Sequence, residues 1–526
     1  MNRSVIYLLD LPNEILIHIL SKLNNIDVLY SLFGIKNERL DSITRQKIYS
    51  NILNFASIID KTTIIDRFCI DILPQISSNI KYLIVDSASM ERILLASHYP
   101  NLNELKICNF RPKSLLHNLT DNPSFRYILK EQIIKLEFMN MDVIGEERSS
   151  KEYTKIVYAH ILTYFEKLEH FSVGPRTMFG YPCLSICYLP LNACSSSVLT
   201  YLSINVRTFT DCLCLLDGRL KQLNTFIVQV YTMKTDLSLV HNLDALPNLK
   251  CFSFIYYGLI EVYDGQIVSL LRRMLYLEKL TLCIRISYQD AFIDPISLLN
   301  EFSLHMSRLK SFKFSISTEN KKDDLVHYLS SNYIKRNSMN AGHEEVANIV
   351  CSLGMSVINN VFTIPFEFAK LVSIGNKFPN IIFNNVNELW VRDEVRFEHN
   401  FFLRIAQAFP LLKSLHVSDI ERLRSDDDAN KLSDNIQLHQ IVVYPHLSFL
   451  SIDMEGTYYV EQFLNETKTH LPCLDQLNLS KYEDLRIVTN DFTREETRRN
   501  CANVRRLITG NEIVGSKDYH TYFPLV

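Results

Sequence analysis

The stretch "FPLLKSLHV" at residues 409–417 alternates apolar and polar residues behind a proline, and near-copies of it recur along the chain. They read "YPNLNELKI" (99–107), "LPNLKCFSF" (246–254), "YPHLSFLSI" (444–452) and "LPCLDQLNL" (471–479). Aligned on the pattern apolar-x-x-apolar-x-apolar, thirteen segments fit, led by Ile80, Leu102, Ile133, Leu168, Leu199, Leu223, Leu249, Leu277, Leu309, Val386, Leu412, Leu447 and Leu474. Apolar residues follow each leader at plus three and plus five, a period of two that argues for a half-buried strand. Successive leaders lie 22 to 35 residues apart except across one gap of 77. That gap, 310–385, is expected to hold two degenerate units, one of them near "NNVFTIPFEF".

Five units carry a proline two residues ahead of the leader: Pro100, Pro247, Pro410, Pro445 and Pro472. Proline there ends an incoming helix and biases its predecessor to extended backbone, as a helix-to-strand junction requires. Between strands the period becomes helical. Ile267, Leu270, Leu271, Met274 and Leu275 form one stripe, and Phe402, Ile405, Ala406 and Phe409 form another. One strand and one helix per unit of about 30 residues cannot bury an apolar face alone, so the units must stack. In this the chain resembles the leucine-rich-repeat family, which implies an α/β solenoid. It departs from the family at plus eight, where Asn or Cys is usual and this chain has Phe110, Met141, Tyr257, Ile420 and Glu455. The asparagine ladder that ties neighbouring turns is therefore expected to be absent and the solenoid irregular.

With plus three and plus five inward, plus two, plus four and plus six face out. These outward slots are nearly all polar, for instance Glu104 and Lys106, Lys135 and Glu137, Ser414 and His416. The single tryptophan, Trp390, falls on this face between Glu388 and Arg392, one unit from His416 and two from Phe449 and Asp453. Aromatic and arginine side chains on an open face are common anchors of protein binding, so these six residues are the candidate target-binding set.

Residues 8–41 read "LLDLPNEILIHILSKLNNIDVLYSLFGIKNERLD" and show a different, all-helical pattern. Asp10 is expected to cap one helix, with Leu16, Ile19, Leu20 and Leu23 as its stripe, and Asp27 a second helix carrying Val28, Leu29, Leu32 and Phe33. The stretch is similar to the F-box, whose opening L-P-x-E-I-L-x-x-I-L-x-x-L is matched by Leu11, Pro12, Glu14, Ile15, Leu16, Ile19, Leu20 and Leu23. The resemblance implies docking on the Skp-type adaptor of a cullin-based ubiquitin ligase. Its contact set, carried over, is Leu11, Pro12, Ile15, Ile19 and Leu20, with Val28 and Leu29 as a second patch. Where many F-boxes continue with a helix containing tryptophan, this chain has "GIKNERLDSI" (34–43).

The expected organisation is an F-box at 1–45, a helical linker at 46–75, and a leucine-rich-repeat-like solenoid at 76–526 with an irregular insertion near 317–380. Joined, the two resemblances imply a non-catalytic substrate receptor, with a protein-interaction scaffold outside any ligase as the alternative. Lys plus Arg (55) nearly balances Asp plus Glu (58), so no general attraction to nucleic acid or an anionic membrane is expected. "REETRRNCANVRR" (494–506) could form a basic patch, yet interleaved Glu495 and Glu496 favour a solvated closing helix. No phosphate-loop, dinucleotide or nucleophile-elbow motif is present, and the cysteines lack metal-site spacing, so neither cofactor nor metal is expected. Cys212 and Cys214 read as small buried apolar residues. Twelve dispersed cysteines and a short, interrupted first apolar patch point to the cytosol or nucleus.

Overall fold

The computed structural model describes residues 8–56, 58, 61–109, 127–139, 158, 161–162, 165–174, 183–189, 194–240, 242, 244–261, 265–287, 300, 306–321, 346–354, 356–419, 440–453, 456–510 and 517–526. They fall into two compact units. The first comprises Met1–Tyr256, Ser269–Lys279 and Met306–Arg308, and the second Tyr257–Val268, Leu280–His305 and Leu309–Val526.

The first unit opens with three short helices, α1 (Asn13–Leu20), α2 (Asn25–Leu32) and α3 (Glu38–Thr44). Strands then follow one per repeat: β1 (Ile52–Asn54), β2 (Tyr82–Asp86), β3 (Glu104–Cys108), β4 (Lys135–Met139), β5 (His170–Gly174), β6 (Tyr201–Thr208), β7 (Thr225–Thr232) and β8 (Cys251–Ile260). Each pairs in parallel with the next in chain order, and plus two always faces plus two: Tyr82, Glu104, Lys135, His170, Tyr201, Thr225 and Cys251 form one continuous row. Parallel neighbours joined by a crossover are what a unit of this length can make.

The second unit contains β9 (Lys279–Ser287) from Leu280 onward, β10 (Ser311–Lys321), the hairpin β11 (Val346–Leu353) and β12 (Ser356–Thr363), then β13 (Lys370–Ile374), β14 (Glu388–Asp393) and β15 (Ser414–Asp419). After β16 (Val442–Val443), β17 (Phe449–Ile452), β18 (Thr469–His470) and β19 (Gln476–Leu479), β20 (Arg506–Thr509) is the last strand. A six-stranded parallel sheet runs β13-β14-β15-β17-β19-β20, while β16 and β18 pair separately in the return segments.

The alternation rule sorts inside from outside throughout. Every plus-three and plus-five residue of the thirteen units is buried, as are all leaders except the half-buried Leu309. Three further units begin at Ser50, Phe368 and Val504. Each escapes the apolar pattern because one of its three slots is polar: Ser50 itself, Ser373 at plus five, and Thr509 at plus five. The first of them corrects the linker boundary, since β1 starts the sheet inside 46–75. The 77-residue gap also differs from expectation. Among its described residues the one repeat strand is β13, and "NNVFT" lies in β12, which runs antiparallel to β10 and β11. Residues 322–345 of the expected insertion lie outside the described residues.

A helix in every unit is a second expectation that needs correction. Residues 375–387, between β13 and β14, return without one, and the described residues between β7 and β8 hold a single 3-10 turn at Leu237–Leu239. In place of the plus-eight asparagine, an asparagine one residue ahead of the leader ties some turns, Asn101, Asn248, Asn385 and Asn503 donating to the carbonyls of Ser78, Lys221, Phe366 and Pro472 at 2.6, 2.9, 3.4 and 3.0 Å, and other ties are particular to one turn. Asn500, fully enclosed, donates to the carbonyls of Phe463, Leu464 and Thr469 at 3.1, 3.1 and 2.7 Å and accepts from the Leu471 amide at 3.0 Å. The Tyr444 hydroxyl donates to the Phe402 carbonyl at 3.0 Å, and the Tyr459 hydroxyl accepts from the Phe397 amide at 2.8 Å. Of the five plus-eight residues only Tyr257 is among the described ones.

Among the described residues no helix is long and apolar enough to cross a membrane. All twelve cysteines are free, and burial pushes the thiols of Cys212 and Cys214 up, the latter to about 12, as suits inert core residues.

Candidate functional site: a helical docking face and a sheet face

Both candidate surfaces arise where the packing leaves side chains over. In the first unit, α1 is apolar on two sides. Leu16 and Leu20 are buried, as are Ile26, Val28, Leu29, Phe33, Leu40 and Ile43 on the elements that follow. Ile15 and Ile19, one helical turn apart, point away and are 47% and 39% exposed. Leu8, Leu9 and Leu23, which flank the helix, are 48%, 45% and 53% exposed, Pro12 is exposed and Leu11 half-buried. Single exposed apolar side chains are ordinary, but five within residues 8–23 are more than a monomer usually leaves wet in so short a segment.

Of the seven residues expected to contact an adaptor, Leu11, Pro12, Ile15 and Ile19 are therefore placed where a partner can reach them. Leu20, Val28 and Leu29 are not. Their exposures are 4%, 1% and 0%, because Leu20 is on the inner side of α1 and α2 packs its apolar stripe into the chain's own core. The expected caps also differ. α1 starts behind Pro12 with no side-chain cap, and α2 is capped by Asn24, which accepts from the Ile26 amide at 3.1 Å, and not by Asp27.

The helical element is joined to the sheet as well. Asn25 donates to the carbonyls of Ile48 and Ile52 at 3.3 and 3.0 Å, and the Tyr49 hydroxyl donates to the Ile17 carbonyl at 3.1 Å. The helices thus shield the free edge of β1, which would otherwise present unpaired backbone groups. "GIKNERLDSI" supplies α3 after a turn in which Gly34 takes φ +75, and the Gly34 amide donates to Asp41 at 2.7 Å.

In the second unit, the parallel register sets the residues of the sheet face in rows. The plus-two row reads Lys370, Glu388, Ser414, Phe449, Gln476 and Arg506, and the plus-four row Trp390, His416, Ser451, Asn478 and Ile508. A bulge between Leu371 and Ile374, with Ser373 at φ +63, interrupts the second row on β13. Since β14 lies between β13 and β15, the indole of Trp390 stands between their side chains. On the β15 side His416 stacks on it, with ring centroids 4.1 Å apart and planes 15° from parallel. From β13 the Lys370 ammonium approaches the ring to 4.9 Å and reaches the Tyr257 ring at 5.8 Å. The indole N–H donates to Glu388 Oε1 at 3.0 Å, and Lys370 donates to the same oxygen at 2.6 Å. Phe449 continues the stack diagonally, 5.1 Å from His416.

Four of the six expected target-binding residues, Glu388, Trp390, His416 and Phe449, are thus gathered into one cluster. Arg392 and Asp453 lie past it in the third row, where Asp453 accepts from Ser451 at 2.6 Å. Lys370 was missed because its strand sits in the degenerate unit. Burial drives the His416 pKa down to about 4, Lys370 adding to the effect while Glu388 and Asp453 oppose it. The ring is accordingly neutral near pH 7. Ser414 Oγ and Glu388 Oε1 approach the same nitrogen, Nε2, at 3.2 and 3.8 Å, so these three residues lack the in-line order of a charge-stabilised nucleophile.

The arginines of 494–506 mostly face carboxylates: Arg498 pairs with Glu495 at 3.1 Å, Arg499 with Glu466 at 3.0 Å and Arg505 with Asp475 at 3.6 Å.

No family model matches this sequence, and no curated protein matches it. Among solved structures, one titled "Crystal structure of TLR13-ssRNA13 complex" is 11% identical, with a TM-score of 0.27, and the match covers 82% of this chain and 54% of that one. The chain spans about half the length of that structure. At so low a score the likeness carries no argument, and the stack of parallel repeat strands rests on the strand register alone.

Proposed function

We propose that this protein is a non-catalytic interaction scaffold with two protein-binding surfaces, the outer side of α1 and the sheet face around Trp390. The observation that carries the reading is the exposure of Leu8, Leu9, Ile15, Ile19 and Leu23 along one short segment whose Leu16 and Leu20 are already buried. Closing such a segment against a partner would gain roughly 1 kcal/mol per half-exposed side chain before the costs of association.

The F-box resemblance names the partner. In this finer reading α1 docks on a Skp-type adaptor, and through it a cullin, while the sheet face holds a target protein whose identity the face does not specify. Its support is that four of the carried-over contacts, Leu11, Pro12, Ile15 and Ile19, lie on the accessible side. Twelve free thiols fit a reducing compartment, cytosol or nucleus. Such a subunit acts by raising the local concentration of a target beside an enzyme held elsewhere.

Affinity purification of the full chain, wild type against Ile15→Asp/Ile19→Asp, tests both levels. Selective loss of adaptor and cullin with retention of other partners is expected. Recovery of other partners without any adaptor from the wild type would leave the scaffold and remove the ligase.

A further inference from the structure

The segment that leads into α1 has little structure of its own to hold it. Leu8–Asp10 is a single 3-10 turn, and no side chain caps the helix that follows. The guanidinium of Arg39, reaching over from the first turn of α3, holds it from outside. Its Nε donates to Asn13 Oδ1 at 2.8 Å, Nη1 donates to the Leu9 carbonyl at 2.6 Å, and Nη2 donates to the Leu11 carbonyl. Three acceptors within five residues meet one planar fork of donors, a geometry that a lysine ammonium cannot reproduce. A cation near the start of a helix is disfavoured by the helix dipole, so these bonds and not the field account for its place. Arg39 is steadied in turn, since Asn37 caps α3 by accepting from the Leu40 amide at 3.1 Å.

We infer that Arg39 is a positioning residue for the docking face: by fixing the main chain at Leu9 and Leu11 it holds Leu8, Leu9 and Pro12 in place ahead of α1. The inference rests on the reading that this face takes a Skp-type adaptor. It assigns a docking role to a residue outside the L-P-x-E-I-L stretch that touches no partner itself.

A double-mutant cycle on the full chain tests it. Wild type, Arg39→Ala, Leu8→Ala/Leu9→Ala and the combination are titrated with purified adaptor, and each is digested briefly with chymotrypsin. Arg39→Ala is expected to weaken binding roughly tenfold in the wild-type background and less than about threefold when Leu8 and Leu9 are already truncated. Cleavage after Leu8 or Leu9 should accelerate while cuts in the repeats do not, and Arg39→Lys should restore only part of the affinity. Equal losses in both backgrounds, or unchanged cleavage, overturn the positioning role. A wild type that binds no adaptor overturns the docking reading and with it the purpose assigned to Arg39, whereas a wild type that binds and an Arg39→Ala chain that binds equally well sinks the inference alone.

Discussion

The outer side of α1 and the sheet face around Trp390 are both exposed surfaces with a functional look, yet they differ in how far their groups are already satisfied. On the outer side of α1, Ile15 and Ile19 stay 47% and 39% exposed, while Leu16 and Leu20 of the same helix are buried. On the sheet face each conspicuous group has found a neighbour: Lys370 has Glu388 and two rings, Trp390 has His416 and Glu388, and Asn478 donates to Ser451, which donates to Asp453. A partner closing on α1 gains from removing water alone, whereas one closing on the sheet meets ring edges and satisfied polar groups and must match them without displacing them. In the proposed reading, the first surface supplies affinity and the second selectivity.

That contrast can be broken most sharply on α1. Ile15→Asp/Ile19→Asp should lower adaptor affinity 100-fold or more, about 2.7 kcal/mol, at unchanged stability. Leu29→Ala, drawn from the same sequence stretch, should instead cost about 3 kcal/mol of folding stability in urea titrations and leave the docking side chains intact. If the two variants behave alike, the inside and outside of the element have been assigned wrongly.

Asn500→Ala measures how much of the second unit depends on enclosed polar ties. Three carbonyls and one amide lose their partner, so a loss of about 3 kcal/mol is expected by urea denaturation. A loss below about 1 kcal/mol would mean that the turns rely on apolar packing alone.

His416 sharpens the comparison from the sheet side. Its folded pKa of about 4 lies below the ordinary 6.5, so the unfolded chain binds the extra proton first as the pH falls. The associated stability is present above pH 6.5 and is lost between 6.5 and 4, up to a few kcal/mol, roughly 2 to 3. Subtracting the stability curve of His416→Gln from that of the wild type should isolate this loss, and parallel curves would refute it.

The smallest effect belongs to the charged rows of the first unit, where Lys135 sits 2.9 Å from Glu137 and 3.3 Å from Glu104 with all three partly exposed. Lys135→Ala should change stability by about 0.5 kcal/mol or less, and added salt should shrink the difference.

Much of this was legible in advance. Thirteen strands, their facing and the helical character of residues 8–41 follow from period and spacing, because a buried slot must be apolar whichever neighbour fills the other side. Ser50, Ser373 and Thr509 mark where that logic failed, since a polar side chain that bonds the backbone or sits in a bulge breaks the pattern without breaking the strand. Leu20, Val28 and Leu29 mark another kind of failure. Leucine reads the same whether it is turned to the core or to a partner, and a two-helix stripe cannot say which of its sides the third helix will cover.

By itself, then, the amino-acid sequence determined the repeat, its inward residues and the presence of an apolar helical element, all of which depend on chemistry at fixed local spacing. Which side of α1 stays wet, that Lys370 and His416 enclose Trp390, and that Arg39 holds the chain ahead of α1 were decided by tertiary structure alone. Each of those depends on side chains brought together from distant positions, and no local period encodes such a meeting.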